Sequence, residues 1–461
     1  MASAAISMKQ HPAPPSPRAN PLFGTASRLR QDPLGCLQQF VDEAGPASKY
    51  RFFAHWWGYL FVHPEHNQHI LQDNYKNFTK LPHPNFQLLY PLVGKGLLSN
   101  DGDSWLRQRR LAQPAFHRGQ IKEMGKIMIA AAQKRFSRWE QSARSGNLVR
   151  FDREMMEMTL EIAGRTMFSV DLTGEAREVG TVFGRLNELF VKLALSPISL
   201  YTMRIPFWPS TRSVTRDVGA LDRLIYAMIN DRRATGEAGS DLMGMLLSAR
   251  DEDTGEGMDE KQLRDEVITL LIAGHETTTL LLTWFFYCLG RHTEIEARVQ
   301  DEVDRTLNGR LPTVEDIPNL VYTRQVIDET MRLFPPAYAL SRWCAEDDVI
   351  GGFATPANAV IALCPFITHR MPEFWPRPHE FDPDRFSQAN NQDRPRFSYI
   401  PFGAGPRQCI GEGFALTESV LVAAAIAQRF RLRIPEGYVA QLDPQITLHP
   451  KGGMELQFEL R

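Results

Sequence analysis

A mainly α-helical fold with a minor β-sheet region is what the sequence predicts, and three observations carry that expectation. Apolar residues recur at three-to-four spacing through much of the stretch from Trp105 to Leu333, the period of helices with one buried face. Within it, Lys261 to Gly290 is apolar around most of its circumference, as a helix buried on all sides must be. Alternating, strand-like residues are confined to short segments toward the two ends, too few to build a large sheet.

Taken in chain order, Met1 to Pro21 holds five prolines among small and polar residues. Such a segment has too little apolar surface to offset the entropy of ordering it, so residues 1–21 are expected to be a flexible, Pro-rich tail and 22–461 a single domain. Tyr50 to Phe53 and Tyr59 to Val62 read as strands, and Pro64 opens a helix at its favoured first position. Gln120 to Ser142 and Ile225 to Arg233 are amphipathic helices, while Pro206 to Pro209 and Pro335-Pro336 interrupt the helical pattern. Ala359 to Cys364 is strand-like and precedes a proline-rich passage through Pro372, Pro376, Pro378 and Pro383. Glu412 to Arg429 predicts the last helix, and Glu455 to Leu460 a terminal strand.

A net charge of -2 supplies no dominant basic face and so gives no reason to expect nucleic acid as a partner. Five scattered cysteines without CxxC spacing argue against a disulfide framework or a zinc site and for a reducing compartment. Val267 to Leu289 is long enough to span a bilayer, but His275, Glu276 and several threonines interrupt it, and ionisable groups inside a membrane are costly. No membrane anchor is expected, and the location expected is cytoplasmic.

The strongest chemical signal is Phe402-Gly-Ala-Gly-Pro-Arg-Gln-Cys409-Ile-Gly411, directly before the last helix. Gly403, Gly405 and Gly411 permit tight turns and close approach of backbone to a flat ligand. A cysteine at a helix N-terminus has its thiolate favoured by the dipole and by unpaired N–H groups, although a buried structural cysteine would fit the same loop. Three further motifs are weaker alone. Glu329-Thr-Met-Arg332 reads as a solvated helical ion pair. Ala273-Gly-His275-Glu276-Thr277-Thr278 puts poor helix formers in the middle of the long helix, with hydroxyls able to bond back to the preceding turn. Trp105 and Arg109 sit one helical turn apart, as a surface cation–π pair would.

Together these segments resemble the cytochrome P450 family, as a soluble bacterial-type member. Its haem-binding pattern F-x-x-G-x-R-x-C-x-G is matched at every fixed position from Phe402 to Gly411. The resemblance implies a fold with haem b between the long central helix and the cysteine loop. Cys409 would be the thiolate ligand of the iron, with Phe402, Gly403 and Gly411 shaping the loop and Ala273 lying over the cofactor. Arg407, Trp105, Arg109 and Arg342 would meet the haem carboxylates. Glu329 and Arg332, with Arg385 of Phe381-Asp-Pro-Asp-Arg385-Phe386, would form a buried structural network. Glu276 and Thr277 would be the acid–alcohol pair that delivers protons to dioxygen, and His275 a packing residue.

The reaction so implied inserts one atom of dioxygen into a C–H or C=C bond and reduces the other to water. Its electrons would come from a separate ferredoxin- or flavodoxin-type donor with its reductase, since no flavin or iron–sulfur motif is present. The arginines at 107, 109, 110 and 118 offer a docking face for an acidic partner. By resemblance the pocket draws on Phe86, Leu88, Leu89, Leu97, Leu193, Ala339, Leu340 and Thr447, which points to an apolar substrate of moderate size: a fatty acid, a terpenoid or a polyketide. A monomer is expected. A haem-thiolate isomerase or peroxygenase, or a non-catalytic haem protein, would share the cysteine loop without needing the acid–alcohol pair.

Overall fold

Helices carry most of the chain, and the longest, Glu260–Arg291, sets the arrangement of the others. The computed structural model describes residues 8–20, 24–53, 56–196, 198–235, 239, 241–250 and 255–461. The long helix starts where the Asp259 carboxylate accepts from the Gln262 N–H at 2.7 Å, a cap that satisfies one of the orphan donors of a helix end. Its 32 residues extend about 48 Å. Among the described residues no other helix is long and apolar enough to cross a bilayer, yet 72% of its most apolar window is buried inside the protein. Helix Phe151–Met167 runs beside it, and Gly274 permits the approach: a Cβ there would lie 3.0 Å from the Met167 Cε. Helices Arg118–Ser145, Val321–Leu333 and Glu412–Arg429 complete the main core.

The β structure is peripheral. A five-stranded sheet runs in the order Ala47–Phe53, Trp56–Phe61, Val360–Leu363, Leu340–Cys344, Phe78–Thr79. Only its Trp56–Phe61 and Val360–Leu363 pair is parallel. Leu148–Arg150, Glu455–Leu460 and Phe430–Arg433 form a three-stranded sheet. Leu442–Pro444 and Leu448–Pro450 make a hairpin that returns to the central helix. All five cysteines are free.

Of the stretch 1–21, expected to be a flexible Pro-rich tail, residues 1–7 and 21 lie outside the described residues, while 8–20 lie against the fold. The Pro15 carbonyl accepts from the Lys49 N–H and the Pro12 carbonyl from the Ala354 N–H, both at 2.9 Å, and Pro14 and Pro17 are buried. Proline lacks a donor but keeps its acceptor, so a proline-rich strip can cover the open N–H groups of an edge strand such as Ala47–Phe53. Composition alone does not register that use.

Glu329, Arg332 and Arg385 come together in the interior. Glu329 pairs with Arg332 through two bonds of 2.6 and 2.7 Å, and both side chains are fully buried. Arg385 lies 3.5 Å from the same carboxylate, which also accepts the Asp382 N–H at 2.8 Å. The remaining Arg332 N–H groups donate to the carbonyls of His369, Pro378 and Glu380. Burial pushes the Glu329 carboxyl above its usual range, and Arg332 opposes that push. The surface ion pair that the helical spacing alone allows is thus replaced by a fully desolvated one. Changing Glu329 to Ala should lower stability to chemical denaturation by about 3–5 kcal/mol, because two buried guanidinium groups lose their carboxylate. The same change at exposed Glu294 should cost less than about 1 kcal/mol.

Candidate active site

The segment Phe402 to Gly411 is a closed loop ahead of helix Glu412–Arg429. The Cys409 N–H donates to the Phe402 carbonyl at 2.9 Å, and the Gly403 N–H to the Ile400 carbonyl at 3.0 Å. Gly405 has φ +68°, and a Cβ there would collide with the Leu71 carbonyl, so only glycine satisfies the position. The backbone N–H groups of Gly411 and Glu412 act on the Cys409 thiol and favour its charged form. By surface area Cys409 is exposed, yet desolvation dominates its titration; a group facing an enclosed space shows both properties. Desolvation pushes the thiol above its ordinary range, while the Gly411 N–H and the Arg109 charge pull it down. A metal cation at the sulfur reverses that balance, since a coordinating thiol is deprotonated outright.

Around this loop the structure gathers cations. Arg407 bonds the Asn100 carbonyl at 2.9 Å, pairs with Asp101, and lies 4.1 Å from the centre of the Trp105 ring. Arg109 donates to the Gln408 carbonyl at 2.8 Å, one residue before Cys409, and sits 6.0 Å from the same ring. Arg342 is buried and donates only to the carbonyl of its neighbour Ser341; burial and the Arg407 charge bring it down to about 10. Two members escape sequence reasoning. Lys80 is buried, bonds the Leu98 carbonyl, and is held well below its usual range by desolvation and by Arg407 and Arg342. His83 is brought down to about 4 by burial, and its Nε2 is buried without a partner.

Four buried or half-buried cations therefore act on one another with Asp101 as the carboxylate that offsets them. So much like charge in a desolvated space is unfavourable unless an anion shares it. A thiol whose charged form backbone donors favour, beside an excess of cations and an orphaned imidazole nitrogen, fits a flat metal chelate that carries carboxylates. Haem is such a group, and Arg342, Arg407, Trp105 and Arg109 are all at this place.

On the central helix, Ala273 is exposed although its neighbours Leu271 and His275 are buried, so this part of an interior helix borders an internal space. Thr277, one turn later, donates to the Ala273 carbonyl at 2.8 Å. Thr278 and Thr279 bond back in the same way to Gly274 and His275, yet the helix runs unbroken from Glu260 to Arg291. His275 bonds back to the Leu271 carbonyl at 2.8 Å and packs on Phe183, as a core residue does. Glu276 accepts bonds from Asn187 at 2.6 Å, Thr447 at 2.9 Å and His449 at 3.1 Å. Burial pushes its carboxyl up, but His449, His275 and Thr447 hold it below the usual range.

The residues expected to line the pocket divide into two groups. Leu88 and Leu193 belong to the main hydrophobic core, with Leu89 packed against it. Phe86 stands edge-on to His83, Ala339 is exposed, Leu340 is half-buried, and Thr447 turns to Glu276. Leu97 is pinned to the central helix, its N–H donating to Glu266 at 3.0 Å while the Lys95 N–H donates to Asp265 at 2.9 Å. Burial pushes Glu266 up to about 8.

The sequence pattern of the cytochrome P450 family matches residues 14–456. The chain is similar to cyclooctatin synthase of Streptomyces melanosporofaciens, at 36% identity over 85% of this chain and 84% of that protein. It is 35% identical to cyclooctat-9-en-7-ol 5-monooxygenase of the same organism, over 91% and 89% of the two chains. Among solved structures, the heme domain of cytochrome P450DA superimposes with a TM-score of 0.86 over 98% of both chains, at 27% identity.

Two predictions follow from the charge pattern. Lys80→Met should make the haem-free protein more resistant to heat and speed haem loss to an acceptor apoprotein, because it removes one of several repelling cations. The folded protein holds Glu266 above its unfolded value, so this residue costs stability as pH rises from about 4.5 to about 8. Glu266→Gln should flatten that fall and add on the order of 3 kcal/mol at pH 8 in denaturant titrations.

Proposed function

The chain belongs to the cytochrome P450 family, and from that premise we propose its substrate class and the roles of its individual site residues. As a member it is a haem-thiolate monooxygenase, an oxidoreductase that places one atom of dioxygen in its product. The proposed substrate is a carbocyclic terpenoid, an alkene or an alkene already carrying a hydroxyl. The relatives named for cyclooctatin and for cyclooctat-9-en-7-ol support this reading, and so does the apolar character of Phe86, Leu97 and Leu340. A binding site of this kind is mostly apolar, with few polar groups to orient the ligand.

The observation that carries the site reading is the pairing of this thiol with an excess of buried cations. Cys409 would hold the iron, and Arg342, Arg407, Arg109, Trp105, Lys80 and His83 would receive the carboxylate edge. Haem supplies the oxygen-activating chemistry, and in this family the thiolate ligand favours O–O cleavage. What the chain adds is placement, exclusion of water and protons. Ala273, with its single methyl group, leaves room at the exposed turn of the central helix. The Thr277 hydroxyl has one proton to give and can accept another, and Glu276 is the neighbouring acid, so both would serve proton delivery.

Electrons would arrive from a separate ferredoxin- or flavodoxin-type protein with its reductase, in the cytoplasm, with this chain acting as a monomer. Arg110 and Arg118 are exposed beside Arg107 and Arg109, and this arginine cluster would offer the docking face for an acidic donor. They flank the site through Arg109, whose bonded carbonyl is adjacent to Cys409.

The test is a carbon monoxide difference spectrum of the reduced protein, followed by titration with a cyclic terpene alcohol and with a fatty acid. The wild type should show the strongly red-shifted Soret band of thiolate ligation, and Cys409→Ala should not. The terpene alcohol should displace the resting spectrum at lower concentration than the fatty acid; the reverse order would reject the substrate class. Thr277→Ala should keep the band but release most reducing equivalents as hydrogen peroxide, which full coupling to product would contradict.

A further inference from the structure

Glu276 is held from outside its own helix by three donors that all converge on one oxygen. Its Oε1 accepts from Asn187 Nδ2 at 2.6 Å, on helix Ala176–Ala194, and from Thr447 Oγ1 at 2.9 Å and His449 Nε2 at 3.1 Å, at the C-terminal hairpin. None of these bonds reaches Oε2, and the side chain keeps 15% of its surface exposed. His449 Nε2 also lies 3.0 Å from Thr447 Oγ1 and 3.3 Å from Asn187 Nδ2, while the imidazole is 28% exposed. One ring nitrogen is therefore committed to the carboxylate cluster, and the ring as a whole still meets solvent.

The hairpin does not reach Glu276 by chance contact. Trp284, two turns along the same central helix, donates its indole N–H to the Leu448 carbonyl at 3.0 Å. The Leu448 N–H donates to the Pro336 carbonyl at 3.0 Å, and the Tyr338 hydroxyl to the Gln445 carbonyl at 2.7 Å. His449 is thus set against the helix by neighbours on both sides of the turn, the arrangement needed to hold a functional group to within a fraction of an ångström. A carboxylate that needed only to be neutralised would be served by a lysine or arginine. Here the charge partner is an imidazole, whose two nitrogens let it accept a proton at one edge and release another at the opposite edge.

We propose that His449 is the proton-entry residue of this enzyme: it recharges Glu276 from solvent, and Asn187 and Thr447 hold the pair in register. This rests on the reading that Glu276 and Thr277 supply protons to the reaction. Each turnover consumes dioxygen, two electrons from the donor and two protons, and forms one hydroxylated product and one water. In each proton step the Nε2–H passes to Glu276 Oε1 while a solvent proton adds at Nδ1, so the ring's charge is unchanged; before the next step the ring returns to its Nε2–H tautomer by releasing the Nδ1 proton to solvent and taking one up at Nε2. Glu276 then passes a proton onward to the Thr277 hydroxyl, which releases its own. The titratable groups acting on Glu276 are His449 from the hairpin and His275 from its own helix; Asn187 and Thr447 are neutral. His449 is a positioning and relay residue in this scheme, since it acts through Glu276.

The decisive variant is His449→Gln, whose amide can hold the hydrogen bond but cannot pass a proton through. With saturating surrogate ferredoxin and reductase, dioxygen consumption by the holoenzyme is measured in water and in deuterium oxide across pH. We expect an unchanged carbon monoxide spectrum, a rate lower by about tenfold or more, and a larger solvent isotope effect than in wild type. A rate and isotope effect equal to wild type would overturn the proposal, because a merely structural bond is one that Gln rescues. Glu276→Gln separates the two levels. If it too turns over normally, the underlying acid–alcohol reading fails; if it is slow while His449→Gln is normal, only the His449 assignment fails. A readout free of turnover is the ¹⁵N chemical shift of the His449 ring in the diamagnetic ferrous carbon monoxide form. The Nε2 signal should move in Glu276→Gln, because its hydrogen-bond partner changes from a carboxylate to an amide, and an unmoved signal would count against the pair whether or not His449→Gln folds.

Discussion

The guanidinium of Arg332 is fully enclosed, and the placement of the cysteine loop depends on how its hydrogens are spent. Two of its bonds go to Glu329, and others to the carbonyls of His369, Pro378 and Glu380. The passage those carbonyls belong to has almost no regular structure, so its backbone acceptors would lack partners without a buried donor of fixed shape. From His369 the chain of bonds continues inward. Burial keeps its ring neutral, bringing it down to about 3, and so Nε2 is an acceptor; it takes the Ile400 N–H at 2.9 Å. The Ile400 carbonyl then receives the Gly403 N–H, and the Phe402 carbonyl the Cys409 N–H. A charge pair on one helix is in this way connected, bond by bond, to the position of a sulfur some eighty residues later. A buried ion pair contributes little net stability as such. Its value here is that it organises irregular backbone.

The same reasoning explains which parts of the protein were legible in the sequence. The central helix announced itself because an element buried on all sides must be apolar on all sides, and its predicted span differs from Glu260–Arg291 by one residue at each end. The loop at Cys409 was legible because left-handed backbone and close approach leave glycine no substitute, and Gly405 against the Leu71 carbonyl is the clearest instance. The helix Glu412–Arg429 and the strand Glu455–Leu460 coincide with their periodicities. The bonds of residues 8–20 were not legible because hydropathy counts what side chains bury, while Pro12 and Pro15 act through their carbonyls.

Lys80, His83, Asn187 and His449 were not legible for a different reason. Each is a single polar residue in an unremarkable local setting, and its meaning lies in partners far away in the chain. Lys80 acquires its role from Arg342 and Arg407, more than 250 residues on. Asn187 and His449 meet only because both reach Glu276. A faint signal exists in hindsight: Glu276 is an acid in the middle of an apolar helix, and such a group must be met by donors from elsewhere. Sequence pattern states that the donors must exist but not which elements bring them.

The central helix therefore has two kinds of polar commitment that pull in different directions. Near its start, Asp265 and Glu266 hold the Lys95 and Leu97 N–H groups, so the acid side chains act as fixed acceptors for the loop that carries them. At its middle, Glu276 is an acceptor too, but its donors include a group that exchanges protons. The difference shows in the direction of the shifts. Desolvation wins at Glu266, whose principal opposing contact is one backbone N–H, and the carboxyl goes up; at Glu276 the imidazole and hydroxyl outweigh a comparable burial, and it goes down. An acid kept protonated is a good brace and a poor conduit, because its proton is held by the low dielectric around it. An ionised acid beside a partner that can be recharged from solvent is suited to repeated transfer. Two glutamates ten residues apart on one helix would thus serve architecture and, in the role proposed for Glu276, chemistry; what separates them is the company each side chain keeps.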